Sequence, residues 1–494
     1  MSLFSPDVLL AMLLGGLYGA VFGAVPGLTA TLALSLFIPF ALFMPPEVGL
    51  AAVVSLTATA IFAGDIGTVM ARIPGTPASA AYTEEIYELG RERGPAYALG
   101  ISAIFSALGS LVGTGLLVLG SLGMALVARQ FSSFEYFWLV LLGVTSGILA
   151  SPHLGKGLIA FALGMLLGTI GYDPALGHPR FTFGNVNFLG GINFIVALIG
   201  LFGLSEVLYQ LMRRSDPRPE PTVLGLRGSV RRFFLDPLRL APQERWLFLR
   251  SALLGTFIGF LPGAGSDFAA WISSNLKRLA QGTKEQVVLA GTSANNAAVA
   301  GTWIPALSLG IPGDTLTAII LGLFLTLGIH PGPELFTKNL PLVVEIYLAF
   351  LLASVIIMPL VGYLGALLAG HVLKLPRGVL LGLISGVSLI GAYAINNNPF
   401  DLYVLAFLGA LGLLLRLGNY PLGQVVLGLV LGPLLEQHLM VSMIKTHWNL
   451  LSFFERPVAV LLAMANLLLL GGMLWTRLKQ YRKLEALRSL SEER

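Results

Sequence analysis

Residues 290–336 read A-G-T-S-A-N-N-A-A-V-A-G-T-W-I-P-A-L-S-L-G-I-P-G-D-T-L-T-A-I-I-L-G-L-F-L-T-L-G-I-H-P-G-P-E-L-F. The stretch is apolar except at two places, the adjacent amides Asn295 and Asn296 and the breaker Ile311-Pro312-Gly313-Asp314-Thr315. Proline blocks helical hydrogen bonding and glycine admits unusual dihedrals, so the backbone is expected to leave the helix here. Irregular backbone at membrane depth survives only inside protein or beside a water-filled cavity. The breaker is therefore a candidate binding site.

The rest of the chain fixes the class. Of 494 residues, 55% are hydrophobic and only 11% charged, against about 25% charged in ordinary soluble domains. Apolar runs long enough to span a bilayer recur throughout, which predicts an all-α polytopic membrane protein. The net charge of +5 is carried by basic segments between apolar ones, a topology signal that implies no nucleic-acid partner. No cysteine is present, so disulfides, thiolate nucleophiles and Cys-based metal sites are excluded.

In chain order, spans are expected over 8–44 (split by Val25-Pro26-Gly27), 48–70, 98–127, 134–149, 157–170 and 192–211. Residues 171–187 read as a loop, and Thr76-Pro77 as the N-cap and first residue of a new helix. The second half gives 246–261, broken by Pro262-Gly263-Ala264-Gly265-Ser266, then 287–309, 316–328, 340–368, 379–394, 402–415, 422–440 and 458–474. The divisions are a first repeat (1–212), a basic linker (213–250), a second repeat (251–440), an extra C-terminal helix region (441–476) and a tail (477–494). The linker carries Arg213, Arg214, Arg218, Arg227, Arg231 and Arg232, and the tail Arg477, Lys479, Arg482 and Lys483, so both are expected in the cytoplasm. The first 71 residues hold no Lys or Arg, which favours an external N-terminus.

The breakers repeat. Gly19-x-x-x-Gly23-Ala-Val-Pro26-Gly27 returns as Gly255-x-x-x-Gly259-Phe-Leu-Pro262-Gly263, 236 positions later (262 − 26). Ile73-Pro74-Gly75-Thr76 returns as Ile311-Pro312-Gly313-Asp314, 238 positions later (312 − 74). Matching breaks in two hydrophobic halves point to a transporter's central site and to two related, inverted repeats with broken helices or re-entrant hairpins.

The residues expected to form that site are Gly27, Thr29, Thr31, Arg72, Gly75, Thr76, Ser79, Gly263, Gly265, Ser266, Asn295, Asn296, Gly313, Asp314 and Thr315. Broken helix ends present free N–H groups and a positive dipole end, which suit a carboxylate. Unwound carbonyls and hydroxyls near Gly263, Ser266, Gly75 and Thr76 suit a sodium ion. Asn295 and Asn296 can donate and accept, so they contact a ligand or else hold helices together. Asp65, Arg72 and Asp314 are ionisable in or beside apolar spans, where charge is costly; Arg72 alternatively snorkels to the interface. The chain is not read as an enzyme, for H-E-x-x-H, G-x-S-x-G and G-x-x-x-x-G-K are all missing. An intramembrane aspartyl protease would need G-x-G-D, and Ile311 and Phe62 stand where its first glycine belongs.

With these motifs the chain resembles the large membrane subunit of the tripartite tricarboxylate transporters over 14–440. The most specific parts are 259–265, Ala294-Asn295-Asn296-Ala297, Leu309-Gly310-Ile311-Pro312-Gly313 and His330-Pro331-Gly332-Pro333. Ile73-Pro74-Gly75-Thr76-Pro77 and Gly94-Pro95-Ala96-Tyr97-Ala98-Leu99 agree as well. The resemblance implies a secondary carboxylate transporter of the bacterial inner membrane, with no cofactor and coupling to sodium or protons. It implies two partners, a small four-helix membrane subunit and a periplasmic solute-binding protein. A channel or exporter that needs no binding protein is the alternative. Three positions depart from the family pattern: Thr292 replaces an acid, Arg72 an asparagine, and Glu85-Ile86 an Asp-Gly. The first two changes make the local field more positive, which is expected to favour a more carboxylated substrate if the two sites are close.

Overall fold

The computed structural model describes residues 5–472 except 26, 150, 152, 174–175, 213–229, 264 and 373–375. Pro26, Ala264, the linker arginines 213, 214, 218 and 227, and the basic tail lie outside the described residues.

Apolar composition dictates helix almost everywhere, because a backbone in hydrocarbon must satisfy its own hydrogen bonds. The first half contains α1 (Pro6–Ala24), α2 (Ala30–Leu42), α3 (Pro46–Ala71), a 3₁₀ turn (Ser79–Tyr82), α4 (Thr83–Arg93), α5 (Pro95–Ala128), α6 (Ser133–Leu149), α7 (Leu154–Gly168) and α8 (Phe194–Met212). The second contains α9 (Arg245–Phe260), α10 (Gly265–Leu279), α11 (Lys284–Leu309), α12 (Thr315–Thr326), α13 (Leu340–Leu367), α14 (Arg377–Asn396), α15 (Phe400–Leu417), α16 (Leu422–Lys445) and α17 (Pro457–Gly472). Eight helices among the described residues are long and apolar enough to cross a membrane. The protein is a multi-pass, all-α membrane protein.

Three local readings are corrected. The loop over 171–187 contains a two-stranded antiparallel hairpin, Gly171–Tyr172 with Pro179–Arg180. Thr76 does not open an α-helix directly: a 3₁₀ turn intervenes and the α-helix begins at Thr83. The polar stretch after Pro262 is the 15-residue helix α10, whose alternation of Asp267, Ser273, Asn275 and Lys277 with apolar residues hid it from a hydropathy reading.

Two helices form the centre. Helix α3 is buried along its apolar length, and α11 is buried continuously from Val287 to Leu309. Each is met by a glycine-striped partner. Gly15, Gly19 and Gly23 of α1 lie on the backbone of Ala52, Leu56 and Ala60 in α3. Gly255 and Gly259 of α9 lie on Ala294 and Ala298 of α11. At these positions a Cβ would strike a carbonyl oxygen, so only glycine permits the approach. The residue pairs are related by the same 236- and 238-position offsets, so the contact itself is repeated, as well as the motif. Helix α5 covers a further face of α11, with Gly109 and Gly113 on Ser293 and Ala297.

The described part of the linker is not free. Phe233 is fully buried, and its backbone lies where a side chain at Gly100 of α5 would be.

Candidate functional site

Each breaker is held by a reciprocal pair of hydrogen bonds, ahead of the 3₁₀ turn in the first half and at the start of α12 in the second. Helix α3 ends at Arg72 in the left-handed conformation (φ 57°) and α11 ends at Gly310 in the same way (φ 70°). After the first, Thr76 N–H donates to Ser79 Oγ (3.0 Å) and Ser79 N–H to Thr76 Oγ1 (3.2 Å). After the second, Asp314 N–H donates to Thr317 Oγ1 (2.9 Å) and Thr317 N–H to Asp314 Oδ1 (2.8 Å). Two orphan donors are thus satisfied at each start, as in a capping box. The hydroxyls of Thr76 and Ser79 also bond each other at 2.9 Å, so they are spent locally.

The breaker glycines dock equivalently. Gly75 N–H donates to the Gly64 carbonyl (3.1 Å), and a Cβ on Gly75 would sit 2.5 Å from the Gly23 carbonyl oxygen. A Cβ on Gly313 would sit 2.7 Å from Thr302 Cβ and 2.9 Å from the Gly259 carbonyl oxygen. Gly313 also accepts from Gly263 N–H (2.7 Å), so the Pro262 turn and the second breaker are one unit. That turn uses positive φ at Gly263 (80°) and Gly265 (75°), and Gly265 faces Asp314.

The two halves meet here. The indole of Trp271 on α10 donates to the Pro77 carbonyl (3.0 Å), and the Asp267 carboxylate accepts from the Ala78 backbone N–H. Asp267 lies close enough to Asp314 for their charges to interact. The structure therefore brings together 73–79, Gly263 with 265–267, and 311–315. Ser266 is buried at the start of α10. The first turn joins them through Gly23; beyond it, Gly27 (φ 91°) lies against Gln210 Nε2 of α8, Thr29 caps α2 by accepting from Leu32 N–H (3.1 Å), and the Thr31 carbonyl accepts from Ser35 (2.7 Å). Thr315 turns its hydroxyl towards Gly423 of α16.

Asn295 and Asn296 are fully buried in α11. Asn295 Oδ1 and both amide atoms of Asn296 lack a hydrogen-bond partner among the described residues. On the same helix Gly291 faces Tyr82 and Ser274, and Thr302 faces Gly313. Asn295, four residues after one and seven before the other, shares that face. A native protein leaves such amides unpaired only with a reason, for each costs about 1–3 kcal/mol of desolvation. Arg72 is placed differently: its side chain is more than half exposed and forks onto Glu84, over the Tyr87 ring. Thr292 is buried and bonds back to Val288 (2.9 Å) within its own helix.

Beside the second breaker, Gly310 and Ile311 line a cavity of about 770 Å³, with His330, Pro331, Gln437 and His438 on its walls. Away from the junction, α4 is tied to the second half by ion pairs. Lys284 meets Glu88 (2.7 Å) and Glu92 (2.6 Å), Arg278 meets Glu85 (2.7 Å), and Arg93 meets Glu285 (2.6 Å). The Lys284 ammonium holds the Glu88 carboxyl below its ordinary range. Sequence reasoning missed Tyr82, Asp267, Trp271 and Thr317. The three-residue spacing of Thr76 with Ser79 and of Asp314 with Thr317 was the available signal for the caps.

A multi-pass helical membrane protein organised around two discontinuous helices is what fold and junction define. The chain belongs to the Tripartite tricarboxylate transporter TctA family, which matches residues 9–427. An uncharacterized 52.8 kDa protein from the TAR-I ttuC' 3' region of Agrobacterium vitis is 32% identical over 460 residues, covering 90% of this chain and 88% of its own. A second uncharacterized protein, from the TAR-II ttuC' 3' region of the same organism, is 37% identical over 229 residues, 44% of this chain and 90% of its own. The family is one of transporters, and its name denotes a three-part system.

Proposed function

We propose that the chain is the permease of a bacterial inner-membrane uptake system for small di- or tricarboxylates, driven by a cation gradient of sodium or protons. A periplasmic solute-binding protein delivers the substrate, and a small four-helix membrane subunit completes the permease. The observation that carries this reading is the meeting of two sequence-equivalent breakers, each held by a reciprocal cap, with a cavity beside the second. Helix starts offer partial positive charge to a carboxylate without burying a full counter-charge. The unpaired amides of Asn295 and Asn296 can supply donors and acceptors for its remaining oxygens.

The halves are inverted in this reading. Lys277, Arg278 and Lys284 mark the α10–α11 end as cytoplasmic, whereas the α2–α3 end lies within the 71 residues that hold no Lys or Arg. Hairpins α1–α2 and α9–α10 then enter from opposite faces. The test is uptake of mono-, di- and tricarboxylates by the reconstituted membrane complex, with and without the binding protein, sodium and a pH gradient. Accumulation of a carboxylate only with binding protein and a cation gradient is expected. Equilibration of a carboxylate across the membrane without either would make the chain a channel.

A further inference from the structure

Among the described residues, two of the four buried carboxyls meet an arginine and a third sits in a helix's first turn. Glu135 meets Arg456 (2.7 Å) and Glu206 meets Arg416. Asp401 sits in the first turn of α15 and accepts from Asn396 (2.8 Å). Asp65 is as buried as these, 1% exposed, yet lies deep inside α3, away from either helix end. Its oxygens receive only hydroxyls. Tyr82 reaches both at 3.1 Å and Ser102 of α5 reaches the second. Among the described residues no cation acts on Asp65: α13 brings Gly362 and Gly365 to Phe62 and Ile66, α5 brings Ser102, and beyond Tyr82 stands Asp267, itself acidic.

An uncompensated carboxylate in hydrocarbon is costly, and such residues mark ion pathways or proton relays. Both oxygens are already occupied at hydrogen-bond distance. A proton needs no further ligand, whereas a sodium ion needs a larger oxygen shell than this carboxylate and two hydroxyls alone supply. The geometry points to Asp65 as a reversible proton-binding site that governs the first breaker, and this rests on the transport reading above. A proton from the outer aqueous phase converts the carboxylate to a neutral acid, and its release to the cytoplasm regenerates the carboxylate.

The mechanical link is short. Asp65 follows Gly64, whose carbonyl holds Gly75 N–H and whose Cα abuts Thr76. Tyr82 lies three residues after Ser79, and its ring packs where a Cβ on Gly291 of α11 would be 2.5 Å away. The charged carboxylate only accepts, so both hydroxyls donate to it. Once protonated it also donates, and one hydroxyl must turn to accept. That turn alters the hold on Tyr82, and Tyr82 spans the first breaker and the second half.

Two measurements on the reconstituted membrane complex test this. Infrared difference spectra between high and low pH should contain a protonated-carboxyl stretching band that Asp65→Asn lacks. Asp65→Asn, nearly isosteric, should lose accumulation driven by a pH gradient and retain substrate counterflow, which needs no net proton movement. Tyr82→Phe should keep the band while weakening accumulation, because the proton site survives and its link is cut. An identical band in Asp65→Asn overturns the proposal. So does undiminished pH-driven accumulation in that variant, or accumulation that follows sodium alone at clamped pH. The infrared arm needs no transport, so a failure of the transport reading is distinguishable from a failure of Asp65 as the site.

Discussion

Gly75→Ala probes the junction with the least chemistry. Gly75 has ordinary backbone dihedrals, so the added methyl acts through space alone. Its Cβ would lie 2.5 Å from the Gly23 carbonyl oxygen and 2.7 Å from Gly64 Cα, both backbone atoms that cannot rotate away. Overpacking of this kind costs about 1–3 kcal/mol. Moving the breaker off α3 also stretches the Gly75–Gly64 hydrogen bond, a further net loss of about 0.5–1.5 kcal/mol. A destabilisation of the docked breaker by about 3 kcal/mol lowers the ratio of docked to undocked molecules near a hundredfold, since 1.4 kcal/mol is a factor of ten. Uptake per folded molecule should fall accordingly, with the initial rate at low substrate as the measurement. Gly313→Ala should behave alike, because its Cβ would strike Thr302 and the Gly259 carbonyl. Gly115→Ala, where the space is open, is the control. If Gly75→Ala and Gly313→Ala both transport within about twofold of the parent, the docked breakers are not the working part, for a twofold change is well under 1 kcal/mol.

Asn296→Leu should raise thermal stability, since it removes amide atoms with no partner and their desolvation cost of about 1–3 kcal/mol, while uptake falls; lower stability with normal uptake would make the amide structural glue. Lys284→Gln should loosen the tie between α4 and the second half, seen as faster labelling of a single cysteine placed near Glu88, a direct assay because the chain has none of its own. The lowered Glu88 carboxyl contributes above the ordinary carboxylate range and is lost as pH falls through its depressed value, so labelling in the parent should quicken only in acid. Phe233→Ala should cost about 3–5 kcal/mol by removing a fully buried ring from the α5 contact, read as a lower melting temperature.

What could be read in the sequence was the part governed by composition and by backbone chemistry. Apolar runs fixed the helices, and Pro-Gly pairs fixed where they stop, because neither depends on distant partners. The repeat was legible for the same reason: Gly23 and Gly259 are glycines because a carbonyl of the neighbouring helix allows nothing larger. Amphipathic and long-range features were not legible. Helix α10 carries enough polar residues to pass for a loop, and its role depends on Pro77 and Ala78, nearly 200 residues earlier in the chain. Tyr82 carries no sequence signal, because the carboxylate its hydroxyl meets, Asp65, lies on another element. The ion pair of Arg72 with Glu84 needs the 3₁₀ turn between them, which no periodicity announces.

The repeat also separates scaffold from chemistry. Gly64 and Thr302, 238 positions apart, each receive a breaker glycine. One residue further on, the equivalents are Asp65 and Trp303, and their surroundings have nothing in common. Trp303 packs edge-on to Phe324 and Phe350, whereas Asp65 is ringed by hydroxyls. The reverse asymmetry holds higher on the same helices, where Asn295 and Asn296 correspond to Thr57 and Ala58. Thr57 satisfies itself on Val53 and Val54, leaving no unpaired group, while the amides of the second half stay unpaired. Two copies of one scaffold have therefore diverged in opposite directions. The first half keeps a carboxyl that needs a positive partner, and the second keeps amides that need a polar one. The halves touch where Trp271 and Asp267 of α10 meet Pro77 and Ala78, and in the proposed function this contact is the route by which occupancy of one group would bias the other. The proposed coupling would need this of the junction: two ligands of different chemistry, each biasing one element that both halves share.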